Sequence, residues 1–152
     1  MKIAEALIER KAIKTKMEEI KKRIYQNAQV QDGDSPTESP LMLIEELNQE
    51  VKAFEKIVNQ INKTNVKILL ENNLTMAEAL IQRDMLRYRH FIVANLADKA
   101  TPTTERYSQR EIKFIPTVDV AQIRKSADEI AKECRQLDMK IQQANWLNDL
   151  LD

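Results

Sequence analysis

Residues 44–68 read IEELNQEVKAFEKIVNQINKTNVKI, and the spacing of their apolar side chains decides the fold class. An apolar residue recurs every third or fourth position, which is the spacing of a helix that packs along a seam. The positions in this seam are Ile44, Leu47, Val51, Phe54, Val58, Ile61, Asn65 and Ile68. We therefore predict a long helix over residues 40–70.

Asn65 is the polar member of this seam, and two interpretations of it stay open. A buried Asn fixes the register of helix pairing through a hydrogen bond and lowers stability. Alternatively, the seam has ended and Asn65 faces water at a fraying helix end.

The same periodicity recurs on both sides of this stretch and predicts three more helices, at residues 2–29, 76–99 and 119–150. The first carries an apolar line of Ile13, Met17, Ile20 and Ile24. The third carries a broad apolar face of Leu80, Ile81, Met85, Tyr88, Ile92 and Leu96. The fourth repeats the heptad spacing at Val120, Ile123, Ala127, Ile130, Cys134, Leu137, Ile141 and Ala144.

Turn residues and helix starts separate these segments. VQDGDSPTES at 30–39 holds the only glycine and is predicted to be a linker. Ser39 followed by Pro40 is a favoured helix start, with Ser as the cap and Pro at the first helical position. Thr75 with Glu78 forms a capping box that opens the third helix.

Helix length determines the predicted architecture. A helix of about 30 residues spans roughly 45 Å, whereas a compact domain of this size has a radius of gyration near 15 Å. We therefore predict an all-α single domain, residues 1–152, built as an elongated antiparallel bundle or coiled coil of about four long helices. Exposed apolar length favours self-association, so we also predict a homo-oligomer, a dimer or larger. The predicted oligomer seam consists of Ile44, Leu47, Val51, Phe54, Val58, Ile61, Asn65, Ile123, Ile130, Leu137 and Ile141.

Charge and cysteine content narrow the classes of function. Lys+Arg and Asp+Glu are equal at 24 each, so no net field attracts nucleic acid or an anionic membrane. Positive charge collects in residues 2–23 and negative charge in residues 32–55, and antiparallel packing would neutralise both. Cys134 is the only cysteine, and the charged start MKIAEALIERK lacks a signal-peptide core. We predict a cytoplasmic protein with no nucleic-acid partner and no stable membrane insertion.

Residues 101–118 interrupt the helical pattern, and an extended or β-hairpin-like segment is predicted near 105–118. In REIKFIPTVDV, residues 110–120, an extended chain would point Ile112, Phe114 and Val118 to one side. Pro116 cannot donate a ladder hydrogen bond, so a strand here would lie at an edge. The segment is either a loop over the end of the bundle or a subunit arm, formed by Ile112, Phe114 and Val118, that pairs with its copy.

Four stretches carry a family resemblance: INKTN (61–65), TMAEALIQRDML (75–86), RYSQREIKFIPTVDV (106–120) and LDMKIQQANW (137–146). They resemble a family of uncharacterised small bacterial helical proteins that are sometimes labelled septicolysin-like. The resemblance covers nearly the whole chain and implies a helical single domain without assigned catalytic residues. The label implies a thiol-activated, membrane-acting protein, whereas cytolysins of that kind carry a Trp-rich loop and this chain has one Trp.

Few residues are candidates for chemistry, and we predict no catalytic, cofactor or metal site. His90 is the only histidine and has no evident metal-binding partners. Cys134 lies in the fourth apolar seam, where burial explains it. Arg83, Asp84, Arg87, Tyr88 and His90 form a polar cluster with three interpretations: a solvated helix face, an ion-pair cluster that orients neighbouring helices, or an anion site.

The sequence therefore predicts a self-associating structural or protein-interaction module without catalytic activity. An unidentified protein partner is compatible with this prediction. The alternatives are a membrane-acting, cytolysin-like protein and a small-ligand or anion binder that uses the polar cluster.

Overall fold

A computed structural model describes residues 1–102 and 113–152 of the chain. In this part of the chain there are four α-helices and no strand. The helices are α1 (Ile3–Gln26), α2 (Pro40–Asn65), α3 (Met76–Ala100) and α4 (Val120–Leu147). The all-helical prediction is confirmed, whereas the elongated shape, the long coiled coil and the single domain stay predictions.

The contacts within the chain define two compact units, which are described separately. The first unit comprises residues 1–69 and 142–152, and the second comprises residues 70–141. The first unit therefore contains α1, α2 and the end of α4. The second contains α3 and most of α4.

In the first unit, α1 and α2 pack antiparallel around a small apolar core. Ala6 of α1 is buried with Ile57 and Ile61 of α2. At the other end of the pair, Arg23 is paired with Glu38 and lies 3.5 Å from Glu46. This arrangement confirms the predicted neutralisation of the basic first helix by the acidic segment that follows it.

The ends of α1 and α2 differ from the predicted boundaries because side chains bond to the last turns. α1 ends at Gln26 rather than at 29, since the Asn27 amide donates to the Arg23 carbonyl (2.9 Å) and accepts from the Glu38 backbone N–H (3.1 Å). α2 begins at Pro40 as predicted, with Ser39 as its cap, but ends at Asn65 rather than at 70.

Three of the buried residues of α2 lie one position before members of the predicted seam, whereas Ile61 is buried as predicted. Leu43, Ile57 and Thr64 are buried, whereas their neighbours Ile44, Val58 and Asn65 are not. The polar residue inside this helix packing is therefore Thr64. Asn65 is half-buried at the last position of the helix, which favours the helix-end interpretation.

The first and last residues of the chain pair with each other inside the first unit. The Leu150 N–H donates to the Met1 carbonyl (2.8 Å), and the Ile3 N–H donates to the Asn148 carbonyl (3.1 Å). The Lys2 ammonium lies 2.9 Å from the Asp149 carboxylate. α4 therefore ends at Leu147 rather than at 150, because the chain leaves the helix to make this pairing.

In the second unit, α3 and α4 run antiparallel, since Arg83 pairs with Asp138 and Asp98 pairs with Arg124. A turn at Glu71–Asn73 precedes α3, with Asn72 and Asn73 at positive φ. The capping box predicted at Thr75 and Glu78 is confirmed.

The predicted extended segment falls largely outside the described residues. Ile112, together with the rest of 103–112, lies outside them. Residues 113–117 are exposed and form neither helix nor strand, and the Phe114 residue is 79% exposed. Val118 is half-buried just before α4 begins. The subunit arm stays a prediction.

Candidate functional site on the two faces of α3

One face of α3 carries an ion-pair network that joins it to α4. The Arg83 guanidinium lies 3.1 Å from Asp84 and 3.3 Å from Asp138. Arg87 lies farther from the same two carboxylates, at 3.8 Å from Asp84 and 3.5 Å from Asp138. Arg83 is the least exposed member of this network, with 17% of its side chain in water. It is therefore the residue that holds both carboxylates.

Beside this network, α3 and α4 border a groove of about 420 Å³, which we call the α3–α4 groove. Its lining residues on α3 are Arg87 and His90. Its lining residues on α4 are Ala131, Cys134, Arg135, Asp138 and Met139. The Cys134 thiol lies 3.9 Å from the Arg83 carbonyl oxygen, to which it is a weak donor. The groove thus combines basic side chains, a thiol and apolar surface.

The opposite face of α3 carries a line of large apolar side chains in water, which we call the outer stripe. Its members are Ile81, Met85, Tyr88, Ile92 and Leu96, between 40% and 65% exposed. The residues that α3 buries are mostly small: Ala79 and Ala97 are fully buried, and Leu86 is 7% exposed. The sequence predicted a broad apolar face that also included Leu80. Leu80 is half-buried, whereas the other five members of that face are exposed.

Hydrogen bonds at the N-terminus of α3 fix the residue at which the helix begins. The Glu78 carboxylate accepts from the Thr75 backbone N–H and hydroxyl, each at 2.8 Å. These two bonds, the backbone one foremost, lower the pKa of Glu78 below its usual range. The charged carboxylate also lies at the positive end of the helix dipole.

The structure separates the polar cluster predicted from the sequence. Arg83, Asp84 and Arg87 meet in the ion-pair network, and His90 lines the groove. Tyr88 lies on the outer stripe, with 60% of its surface exposed. Sequence reasoning missed the α4 contribution to the groove, because Arg135 and Asp138 are about 50 positions away and helix pairing alone brings them to α3.

The predicted oligomer seam divides into residues covered by the chain itself and residues that are partly exposed. Ile61, Ile130 and Ile141 are 2%, 6% and 1% exposed, so they belong to the core of this chain and not to a surface for a second subunit. Ile44 is 42% exposed. The half-buried members are Leu47, Val51, Phe54, Val58, Asn65, Ile123 and Leu137.

Two further observations concern the part of the chain that the structure describes. It contains no group of three or more His, Cys, Asp or Glu side chains positioned to hold a metal ion. Among the same residues, no helix is both long enough and apolar enough to cross a lipid bilayer.

Comparisons with known proteins show what the chain is similar to. A solved crystal structure of a functionally unknown conserved protein from Corynebacterium diphtheriae is 38% identical, with a TM-score of 0.94. The match covers 99% of each chain. No curated protein matches, and nothing in the comparisons supports the septicolysin-like label. A family model described as a family of unknown function, DUF6847, matches residues 10–150. The chain therefore belongs to the DUF6847 family.

Proposed function

We propose that this protein is a self-associating helical module whose copies meet through the outer stripe of α3. The observation that supports the proposal is the exposure of five large apolar side chains along one face of a single helix. Ile81, Met85, Tyr88 and Ile92 follow each other at intervals of four, three and four residues, which suits packing against another helix. The function is structural, and it requires no reaction.

The size of the outer stripe suits a second copy of this chain as its partner. Five large side chains that expose about half their surface leave roughly 500 Å² of apolar area in water, taking about 200 Å² for each. The largest apolar patch on a typical monomer is about 300–600 Å². A standard interface takes about 800 Å² from each partner. A second outer stripe would supply a matching apolar surface of the same length.

Charges at the two ends of α3 favour an antiparallel pair. Glu78 lies in the first turn and Lys99 in the last turn. Antiparallel pairing would bring Glu78 of one copy close to Lys99 of the second copy, and it would also oppose the two helix dipoles favourably. The resulting contact uses the same patch on both copies and closes as a two-fold dimer.

Sedimentation equilibrium tests this dimer. We expect the wild-type protein to have twice the mass of one chain at micromolar concentration. The double variant Met85→Glu/Ile92→Glu places two carboxylates in the stripe, so it should have the mass of one chain. The control Gln136→Glu/Gln143→Glu adds the same charge at exposed positions of α4 and should remain dimeric.

Two results would overturn the proposal. One is a wild-type protein that remains monomeric throughout this concentration range. The other is a dimer that the stripe variant and the control variant preserve equally. Circular dichroism of both variants checks that the substitutions leave the helices folded.

The membrane-acting alternative gives a different result in a parallel experiment. Exposed apolar side chains on a helix can also bind a bilayer surface. We expect no sedimentation with vesicles of phosphatidylcholine and phosphatidylglycerol. Vesicle binding that Met85→Glu/Ile92→Glu removes, by a protein that is monomeric without lipid, would favour the membrane instead. A cytoplasmic location belongs to our proposal, and the single cysteine supports it.

A further inference from the structure

We propose that the α3–α4 groove binds a small organic anion, namely a carboxylate carried on an apolar body. The groove lies on the α4 side of α3, away from the outer stripe, and it is formed within the second unit alone. The proposal therefore does not depend on self-association.

The balance of charge around the groove favours an anion. Arg83 and Arg87 pair with the carboxylates of Asp84 and Asp138, and Arg135 at the groove adds one further positive charge. Arg83 approaches both carboxylates more closely than Arg87 does. Arg87 therefore shares both of its carboxylates with Arg83.

Arg135 supplies the second basic group at the groove. It lines the groove from α4 and forms no ion pair with any of the described residues. A guanidinium presents parallel N–H groups that match the two oxygens of a carboxylate. Arg87 and Arg135 therefore provide the charge and the donors that a bound carboxylate would use.

The remaining lining suits an apolar body. Ala131 and Met139 provide apolar surface, and the Met139 residue is 69% exposed. The volume of about 420 Å³ lies within the range typical of small-molecule sites, about 300–1,000 Å³. A flexible thioether such as Met139 adapts to varied apolar shapes.

Cys134 makes the proposal testable because it is the only thiol of the chain and it lines the groove. Iodoacetate and iodoacetamide alkylate a thiolate by the same step: the S–C bond forms and iodide leaves. The two reagents differ mainly in charge. We expect the rate ratio of iodoacetate to iodoacetamide to be severalfold higher for Cys134 than for N-acetylcysteine.

Removing a guanidinium should lower this ratio. A unit charge about 7 Å away contributes roughly 0.6 kcal/mol in water, so Arg135→Gln should reduce the ratio about threefold. Arg89→Gln is the matched control, since Arg89 is exposed on α3 and does not line the groove. Equal ratios in the wild type and in Arg135→Gln would overturn the proposal.

A protection experiment tests the ligand class. Benzoate should slow the alkylation of Cys134 by iodoacetamide, the neutral analogue benzamide should not, and Arg135→Gln should weaken the protection by benzoate. Protection by inorganic phosphate without protection by benzoate would overturn the carboxylate assignment. Equal protection by benzoate and benzamide would overturn the role of charge.

Discussion

Thr64 carries a buried hydroxyl that connects the end of α2 to the C-terminal residues. The hydroxyl donates to the Gln60 carbonyl at 2.7 Å and accepts from the Leu151 N–H at 3.0 Å. The Thr64 hydroxyl therefore acts as both donor and acceptor, and Thr64 is fully buried. A buried group of this kind is costly to leave without its partner.

We expect Thr64→Val to lower the free energy of unfolding by about 1–3 kcal/mol, because the Leu151 N–H would lose its acceptor while the volume stays nearly constant. Urea denaturation measures this change. Thr15→Val, at an exposed position of α1, is the matched control and should have little effect. Thr64→Ser retains the hydroxyl and should lose less stability. Equal loss in the valine and control variants would contradict the argument.

There is a physical reason why the sequence did not single out Thr64. Periodicity weights large apolar residues, and it therefore placed the seam of α2 through Ile44, Val58 and Asn65. At Leu43, Ile57 and Thr64 the buried residue comes one position earlier, and a small polar residue such as Thr64 can occupy a close helix contact. Ile61 is buried as the seam predicted.

In α3, periodicity predicts that the helix has one apolar face, but it does not predict which face packs against another helix. The spacing of Ile81, Met85, Tyr88 and Ile92 correctly indicated one apolar face of a helix. It did not indicate which side α4 would cover. α4 lies on the side of Arg83, which pairs with Asp138, and the buried Ala79 and Ala97 fall on that side at helical spacing. The identity of the covered face depends on the partner helix, which a single segment cannot specify.

The pairing of α1 with the start of α2 should respond to pH. The Arg23 guanidinium donates to Glu38, and this hydrogen bond holds the pKa of that carboxyl below its ordinary value of 4.5. A lowered pKa in the folded state means that the ion pair stabilises the fold above pH 4.5. The stabilisation is lost as the pH falls and Glu38 becomes protonated in the folded protein.

We therefore expect Glu38→Gln to lower the urea midpoint at pH 7 and to have no effect once the wild-type carboxyl is protonated. High salt should reduce the difference at pH 7, since 37% of the Glu38 side chain is exposed. Glu45→Gln, at a nearby exposed position, serves as the control. A difference between the wild type and Glu38→Gln that persists unchanged into acid would exclude the ion pair as its cause.

At the scale of the whole molecule, composition and periodicity correctly predicted an all-helical chain and the starts of its helices. The spacing of the apolar residues and the capping residues Ser39 and Thr75 carried that information. Contacts between distant positions were not predictable in the same way. The α3–α4 groove requires Arg87 and Arg135 to meet, and only the packing of two helices brings them together.

The hydrogen bond between Met1 and Leu150 brings residues 1 and 150 close enough for a short linker to join them. We expect a circular permutant, with residue 152 joined to residue 1 by a short Gly/Ser linker and new termini opened after Gly33, to fold with the same helix content. Gly33 lies in the exposed loop before α2 and has open space around it. Circular dichroism and urea denaturation would test this, and termini opened inside α2 should instead prevent folding.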